Sequence, residues 1–230
     1  DANYSTYFLT EGANSTTFRK LTINNTKTPL SEATVTLNQD VTVGCCFSSG
    51  ILTCTRGFIV SSDANILNFY ASSTCTFPAT LTNSFVDGPV TKEKGTVAFA
   101  FPLGDIAAAR SARLEIGIPT AAGTTFQAEY FPATYSVTNS FSAVAPVLNN
   151  VSVGEYWRLD RIAGAGNATV KLFWEDASAS GINDCANVWD PIDEVNESDL
   201  KVAHYDVANG WWEVNSEFVT FTGTCAGADA

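Results

Sequence analysis

Histidine is almost missing from this chain: His204 is the only one in 230 residues. No GxSxG or HExxH segment accompanies it, so a nucleophilic triad would have to be built on His204 inside KVAHYDV with no nucleophile motif in view. CxxC spacing is absent too, and with one histidine that removes the usual zinc sites. Positive charge is scarce, 12 Lys and Arg against 24 Asp and Glu, for a formal net charge of −12. That balance repels nucleic acid and anionic lipid, and neither is expected as a partner. Charged residues of both signs reach only 16%, against about a quarter in ordinary domains, and Ser, Thr and Asn supply the polarity instead. No apolar run has the length needed to span a membrane. The chain does not begin with Met, and nothing at Asp1 resembles a signal peptide, so the expectation is a mature secreted product whose leader has been removed.

What is present is an even set of six cysteines, Cys45, Cys46, Cys54, Cys75, Cys185 and Cys225. In an acidic, Ser/Thr/Asn-rich chain they favour disulfides and an oxidising compartment over six buried thiols. Cys45 and Cys46 are adjacent, so in a strand they point to opposite faces and each is expected to pair elsewhere, with Cys54 and Cys75 nearest. Cys225 can reach back to Cys185. Each staple in a unit of short strands would contribute a few kcal/mol.

The patterning is that of strands throughout. Residues 1–12 (DANYSTYFLTEG) form a good two-faced strand rich in aromatic and β-branched side chains. From Thr17 to Asn83, apolar segments of three to five residues recur, among them Phe18-Leu21-Ile23, Val41-Val43-Cys45 and Phe58-Ile59-Val60. Such short strands at close spacing predict a stacked, solenoid-like unit, with a sandwich of short strands as the competing arrangement. Ser84–Asp105 (SFVDGPVTKEKGTVAFAFPLGD) predicts a hairpin or corner with a charged tip at Lys92-Glu93-Lys94. Alternation in that stretch places Val97, Phe99 and Phe101 on one face. Longer alternating segments follow at Arg110–Ile118, Thr125–Tyr130, Tyr156–Asp160 and Ala168–Trp174, the pattern of a β-sandwich. Lys201–Tyr205 and Trp211–Val214 flank Asn209-Gly210, a strong hairpin signal.

The stretch FVDGPVTKEKGTVAFAFPLGD, preceded by LTINNTKTPLSEATVTLNQDVTVGCCFSSGIL and followed by GEYWRLD, resembles a module of large secreted surface proteins of Bacteroidota exported by the type IX route. The matching positions are Phe85–Val90, Lys92, Gly95, Phe99, Phe101–Gly104, Gly154, Tyr156 and Trp157. The resemblance implies a cell-surface, adhesive or filamentous setting with short stacked strands leading into an Ig-like sandwich, and no catalytic residues. Two departures stand out. The family's Arg-Pro pair after FPxG is replaced by Ala109-Arg110-Ser111, and no closing strand of the family type follows Phe218–Thr222. Ser5–Gly12 resembles that missing strand at the other end of the chain.

The expected architecture is therefore all-β: an exchange strand over 1–12, a disulfide-stapled short-stranded unit over 13–95 and an Ig-like sandwich over 96–230. A sandwich without its last strand offers unpaired backbone to a strand from another chain. Tyr4, Thr6, Tyr7, Phe8, Leu9 and Thr10 are the expected polymerisation strand, lent head to tail to an identical subunit of an extracellular surface filament. The alternative is a monomeric secreted module that binds surface glycans or calcium. Trp211 and Trp212 are adjacent in a strand, so one of the two can be exposed to a sugar face. Asp184, Asp190, Asp193 and Glu194 supply hard oxygen ligands suited to Ca²⁺, without the EF-hand pattern; a solvated acidic loop is the plainer reading. No cofactor other than Ca²⁺ is expected. Paired carboxylates for glycoside hydrolysis are not singled out by any spacing, and an enzyme is not expected.

Overall fold

The computed structural model describes residues 6–8, 15–45, 49–78, 83–137, 140, 148, 151–152, 154–173, 202–208 and 210–213. These residues are almost entirely strand and turn, with a 3-10 turn at Leu30–Glu32. The all-β expectation holds. Short strands recur in threes. A first coil contains β1 (Thr6–Phe8), β2 (Thr16–Phe18) and β3 (Lys20–Asn24), and a second β4 (Thr34–Thr36), β5 (Val41–Val43) and β6 (Ile51–Arg56). The third contains β7 (Phe58–Val60), β8 (Leu67–Phe69) and β9 (Thr74–Thr76). The fourth contains β10 (Val86–Asp87), β11 (Val90–Glu93) and β12 (Phe99–Phe101).

Equivalent strands of successive coils pair in parallel. One side runs β1-β4-β7-β10 and continues to β13 (Leu103–Asp105); the second runs β2-β5-β8-β11; the third runs β3-β6-β9. This is a three-sided solenoid, the first of the two arrangements expected for the short-stranded region.

Register explains why strands of three residues suffice. Val35 lies opposite Ile59, Ile59 opposite Val86 and Val86 opposite Leu103, so one inward residue per coil forms a continuous apolar column. Val41, Leu67, Val90 and Ala128 form a second column. All eight are buried. A coil that could not bury its inward face alone does so against its neighbours.

Hydroxyls tie the corners of one coil to the next. Ser84 Oγ donates to the Gly57 carbonyl at 2.9 Å and Ser61 Oγ to the Pro89 carbonyl at 2.8 Å. Ser73 Oγ donates to the Val43 carbonyl at 2.6 Å and accepts from the Gly50 N–H at 3.1 Å. Gly57, between β6 and β7, has φ +99°, and a Cβ there would lie 2.7 Å from the Ala33 carbonyl oxygen. Only glycine lets that corner sit so close to the coil below.

Parallel growth then stops. β14 (Arg110–Ser111) pairs antiparallel with β13, and β15 (Leu114–Ile116) antiparallel with β12. β16 (Thr125–Phe131) pairs antiparallel with β11. β17 (Tyr156–Ala163) lies beside β16, and β18 (Val170–Leu172) beside β15. β19 (Ala203–Asp206) and β20 (Gly210–Glu213) form the expected hairpin, with Gly210 already in β20 opposite Asp206.

The chain divides into two compact units, 1–131 with 157–171, and 132–156 with 172–230. This differs from a division at residue 95, because β13 continues the first side of the solenoid and β12, β15 and β16 fall in the same unit. The alternation of Phe99, Phe101 and Leu103 is the same whether the neighbour is a hairpin partner or the coil below, so period alone does not locate the seam. Phe99 and Phe101 point inward as expected, whereas Val97 precedes the strand and is 61% exposed.

Candidate functional site

The expected polymerisation strand is partly described. Thr6, Tyr7 and Phe8 form β1, paired in parallel with Thr34, Val35 and Thr36 of the same chain. They hold the outermost place on their side of the solenoid, with β4 as their neighbour. Tyr4, Leu9 and Thr10 lie outside the described residues. Among the described residues all three strands of the first coil share this situation: β1, β2 and β3 each stand last in their sheets, with one neighbour apiece. The interior shows the same end effect. Leu21 and Ile23 of β3 retain 8% and 5% exposure, against 0% and 2% for Leu52 and Cys54 in the next coil. The first coil is thus an open β-edge, and such edges are templates for adding strands.

Of the two expected aromatic platforms, Trp211 is buried. Its indole Nε1 donates to the Val137 carbonyl at 2.5 Å and its backbone N–H to the Ser140 carbonyl at 2.8 Å. Tyr135 and Tyr205 rings pack against it at 5.5 and 5.2 Å between centroids, and Tyr156 packs on Tyr135 at 5.1 Å. Trp211 is therefore a packing residue of the second unit and not a surface for a sugar. Trp212 stands opposite His204 in the hairpin register. The expected calcium ligands Asp184, Asp190, Asp193 and Glu194 lie outside the described residues. Among the described residues no cluster of three or more His, Cys, Asp or Glu side chains is placed to hold a metal ion.

No disulfide is seen at Cys54 or Cys75, the expected partners of Cys45 and Cys46. Cys46, Cys185 and Cys225 lie outside the described residues, and Cys45 ends the corner after β5. Cys54 and Cys75 face the interior as separate thiols. Register shows why they are not bonded: Cys75 lies opposite Leu52, which leaves Cys54 on the diagonal. Diagonal neighbours have Cα atoms about 8 Å apart, too far for a disulfide without backbone movement. Burial pushes both thiols up to about 12; a hydrogen bond to Ser84 acts the other way at Cys54, as does the charge of Lys92 at Cys75. Thiols held this far from ionising are poor nucleophiles.

Two charged residues carry more of the architecture than their sequence context suggests. Lys92, expected at a charged hairpin tip, is 3% exposed. It occupies the inward column of Val43, Phe69 and Phe126. Its Nζ donates to the carbonyls of Tyr70 at 2.7 Å, Ala71 at 2.8 Å and Ser73 at 3.0 Å, closing the turn between β8 and β9. The signal was available in the parity, since Val90 inward puts Lys92 inward two residues later. Arg158 gathers carboxylates: Nη2 donates to Glu129 at 2.5 Å and to Asp63 at 3.1 Å, with Asp160 3.7 Å from Nε. Burial raises the Glu129 carboxyl; Arg158 opposes the rise, and Asp63 and Asp87 add to it.

No protein-family model, curated protein or solved structure matches the chain.

Proposed function

We propose that this chain is a structural, assembly-forming module of an extracellular cell-surface protein, acting through strand pairing and not through turnover of a substrate. One observation carries the reading: the parallel solenoid is closed at its far end by antiparallel strands and ends at the other in a coil whose three strands each have a single neighbour among the described residues. The resemblance of Phe85–Gly104 and Gly154–Trp157 to type IX-exported surface proteins supplies the setting. Head-to-tail exchange of residues 1–12 between identical subunits is the form of assembly that this resemblance suggests. The outermost place of β1 suits it, since the strand pairing broken by withdrawing Thr6–Phe8 is, among the described residues, the register with Thr34–Thr36.

Negative-stain imaging and light scattering of the purified chain, with and without residues 1–12, test this proposal. Assemblies of the intact chain, lost on deletion while the strand spectrum persists, support exchange. Assemblies that survive the deletion place pairing elsewhere on the coil, and a monomer under all conditions removes the reading. In the glycan- or calcium-binding alternative, burial of Trp211 among tyrosines leaves Trp212 as the member of the pair for a sugar face.

A further inference from the structure

The outward edge of β3 is defined by its bonds on the other side. The Ile51 N–H donates to the Arg19 carbonyl at 3.0 Å, and the Asn25 N–H donates to the Arg56 carbonyl at 2.9 Å. Backbone groups of successive strand residues alternate between the two edges. Arg19, Leu21, Ile23 and Asn25 therefore address β6, and the one irregularity in this pairing, between Ile23 and Asn24, is a residue inserted on the β6 side. Lys20, Thr22 and Asn24 direct their N–H and C=O groups away from the solenoid's stack. Their side chains are exposed.

We infer that this edge is a self-recognition site, at which a second copy of the chain adds its own β3 in antiparallel orientation about a two-fold axis through Thr22. The inference rests on the proposed assembly by strand pairing, in a form that keeps β1 in its own coil and so replaces head-to-tail exchange at this edge. Topology selects the partner's end. Among the described residues the far end presents β14, β17 and β18, which do not repeat the three-sided parallel coil, so the coil that matches the open one in shape is the open coil of another copy. The segment Lys-Leu-Thr-Ile-Asn suits such a pairing. Antiparallel about Thr22, it sets Thr22 opposite Thr22 of the other copy, Leu21 opposite Ile23, and Lys20 opposite Asn24. Arg19 falls opposite Asn25. Both cations thus meet amides, and no like charges oppose each other, which is the arrangement cross-strand pairs favour. Each outward residue exchanges both of its bonds with its opposite number, giving about six main-chain bonds across the axis. In a three-sided coil the same axis exchanges the remaining sides, so β1 of one copy runs antiparallel to β2 of the other, and both are three residues long. A contact of this kind is isologous and stops at two copies.

The test uses sedimentation of the full chain over a range of concentrations, with Thr22→Lys and Thr22→Glu. Thr22 is exposed and lies on the axis, so each variant sets like charges directly opposite one another without touching the interior. The wild type is expected to be a concentration-dependent dimer. Each variant alone is expected to dimerise at least tenfold more weakly, more so at low salt, and an equimolar mixture is expected to recover the dimer. Thr22→Pro, which removes an N–H that the fold does not use, is expected to act like the single charged variants. Strand spectra of the variants are recorded alongside, and recovery in the mixture shows that both still fold. A wild-type dimer or polymer indifferent to all three variants overturns the two-fold pairing while leaving the assembly function standing. A wild type that stays monomeric overturns both.

Discussion

Lys92 and Phe99 face each other inside the solenoid, with the ammonium 5.1 Å from the centre of the ring. The charge is held between an aromatic face and the carbonyls of Tyr70, Ala71 and Ser73. A cation over a ring is attracted by its quadrupole, and desolvation strengthens the attraction. The arrangement ties β11 and β12 of the fourth coil to the turn that ends β8 of the third. Replacing Lys92 by Met keeps the volume and removes every donor. The three carbonyls lose their shared partner, and Lys92→Met is expected to cost on the order of 3 kcal/mol, measured by urea denaturation at pH 7.

The same residue gives the chain a pH signature. Burial lowers Lys92 to about 8 from its ordinary 10.5. Between those values the unfolded chain binds a proton that the native chain does not, so this group makes stability rise with pH from about 8 upward. Cys54 and Cys75 act in the opposite sense. Their thiols move from 9.0 to about 12, so from pH 9 the native chain keeps protons that the unfolded chain loses. Each group contributes a slope of about 1.4 kcal/mol per pH unit within its window. The three together predict a rise from pH 8 to 9 and a decline above it. Denaturation midpoints of wild type, Lys92→Met and the Cys54→Ala, Cys75→Ala double variant separate them: the first variant loses the rise, the second the decline.

Gly57→Ala and Gly123→Ala make a matched pair. Both glycines have positive φ, but a Cβ at Gly57 meets the Ala33 carbonyl oxygen and Asn25, whereas nothing lies within 4 Å of one at Gly123. Gly123→Ala is expected to cost about 1 kcal/mol, the backbone penalty alone. Gly57→Ala adds a collision with the coil below and is expected to cost roughly 3 kcal/mol. Thermal midpoints of the two variants, measured side by side, check the difference. Equal losses would show that the corner can shift away from the second coil.

Arg158→Ala is expected to raise the Glu129 carboxyl further, because Arg158 opposes the rise caused by burial. A carboxyl raised above its unfolded value retains a proton that the unfolded chain releases, so its contribution to stability falls as pH rises through that window. The variant is therefore expected to lose more stability at neutral pH than in mild acid. Carbon-detected NMR titration of Glu129 reads the carboxyl directly; an unchanged titration would remove Arg158 as its stabilising partner.

Trp211→Ala tests the role of the tryptophan pair. A buried indole packed by Tyr135 and Tyr205 and bonded to the Val137 carbonyl is expected to cost the second unit roughly 3–5 kcal/mol when truncated. Loss of near-ultraviolet aromatic circular dichroism with the first unit still folded is the expected signature. A fully folded Trp211→Ala chain that has lost only glycan binding would overturn the packing role of Trp211.

Local pattern determined a good deal of this protein. Short β-branched and aromatic segments defined strands at Val41–Val43, Phe58–Val60 and Thr125–Phe131, and Asn209-Gly210 defined the hairpin that β19 and β20 form. Alternation also settled which residues point inward: Phe99 and Phe101 do, and the same rule applied from Val90 places Lys92 among them. Partners are another matter. A period of two names the face a side chain occupies and is silent on which strand lies alongside, because main-chain bonds are the same for every sequence. Only the stacking of coils decided that Val35, Ile59, Val86 and Leu103 share a column, that Cys54 and Cys75 fall on a diagonal too long to bridge, and that β13 continues the solenoid past the expected boundary at residue 95. The open edge belongs to the tertiary structure for the same reason. Nothing in Lys20–Asn24 read alone distinguishes a strand paired on both sides from one whose outer groups await another chain.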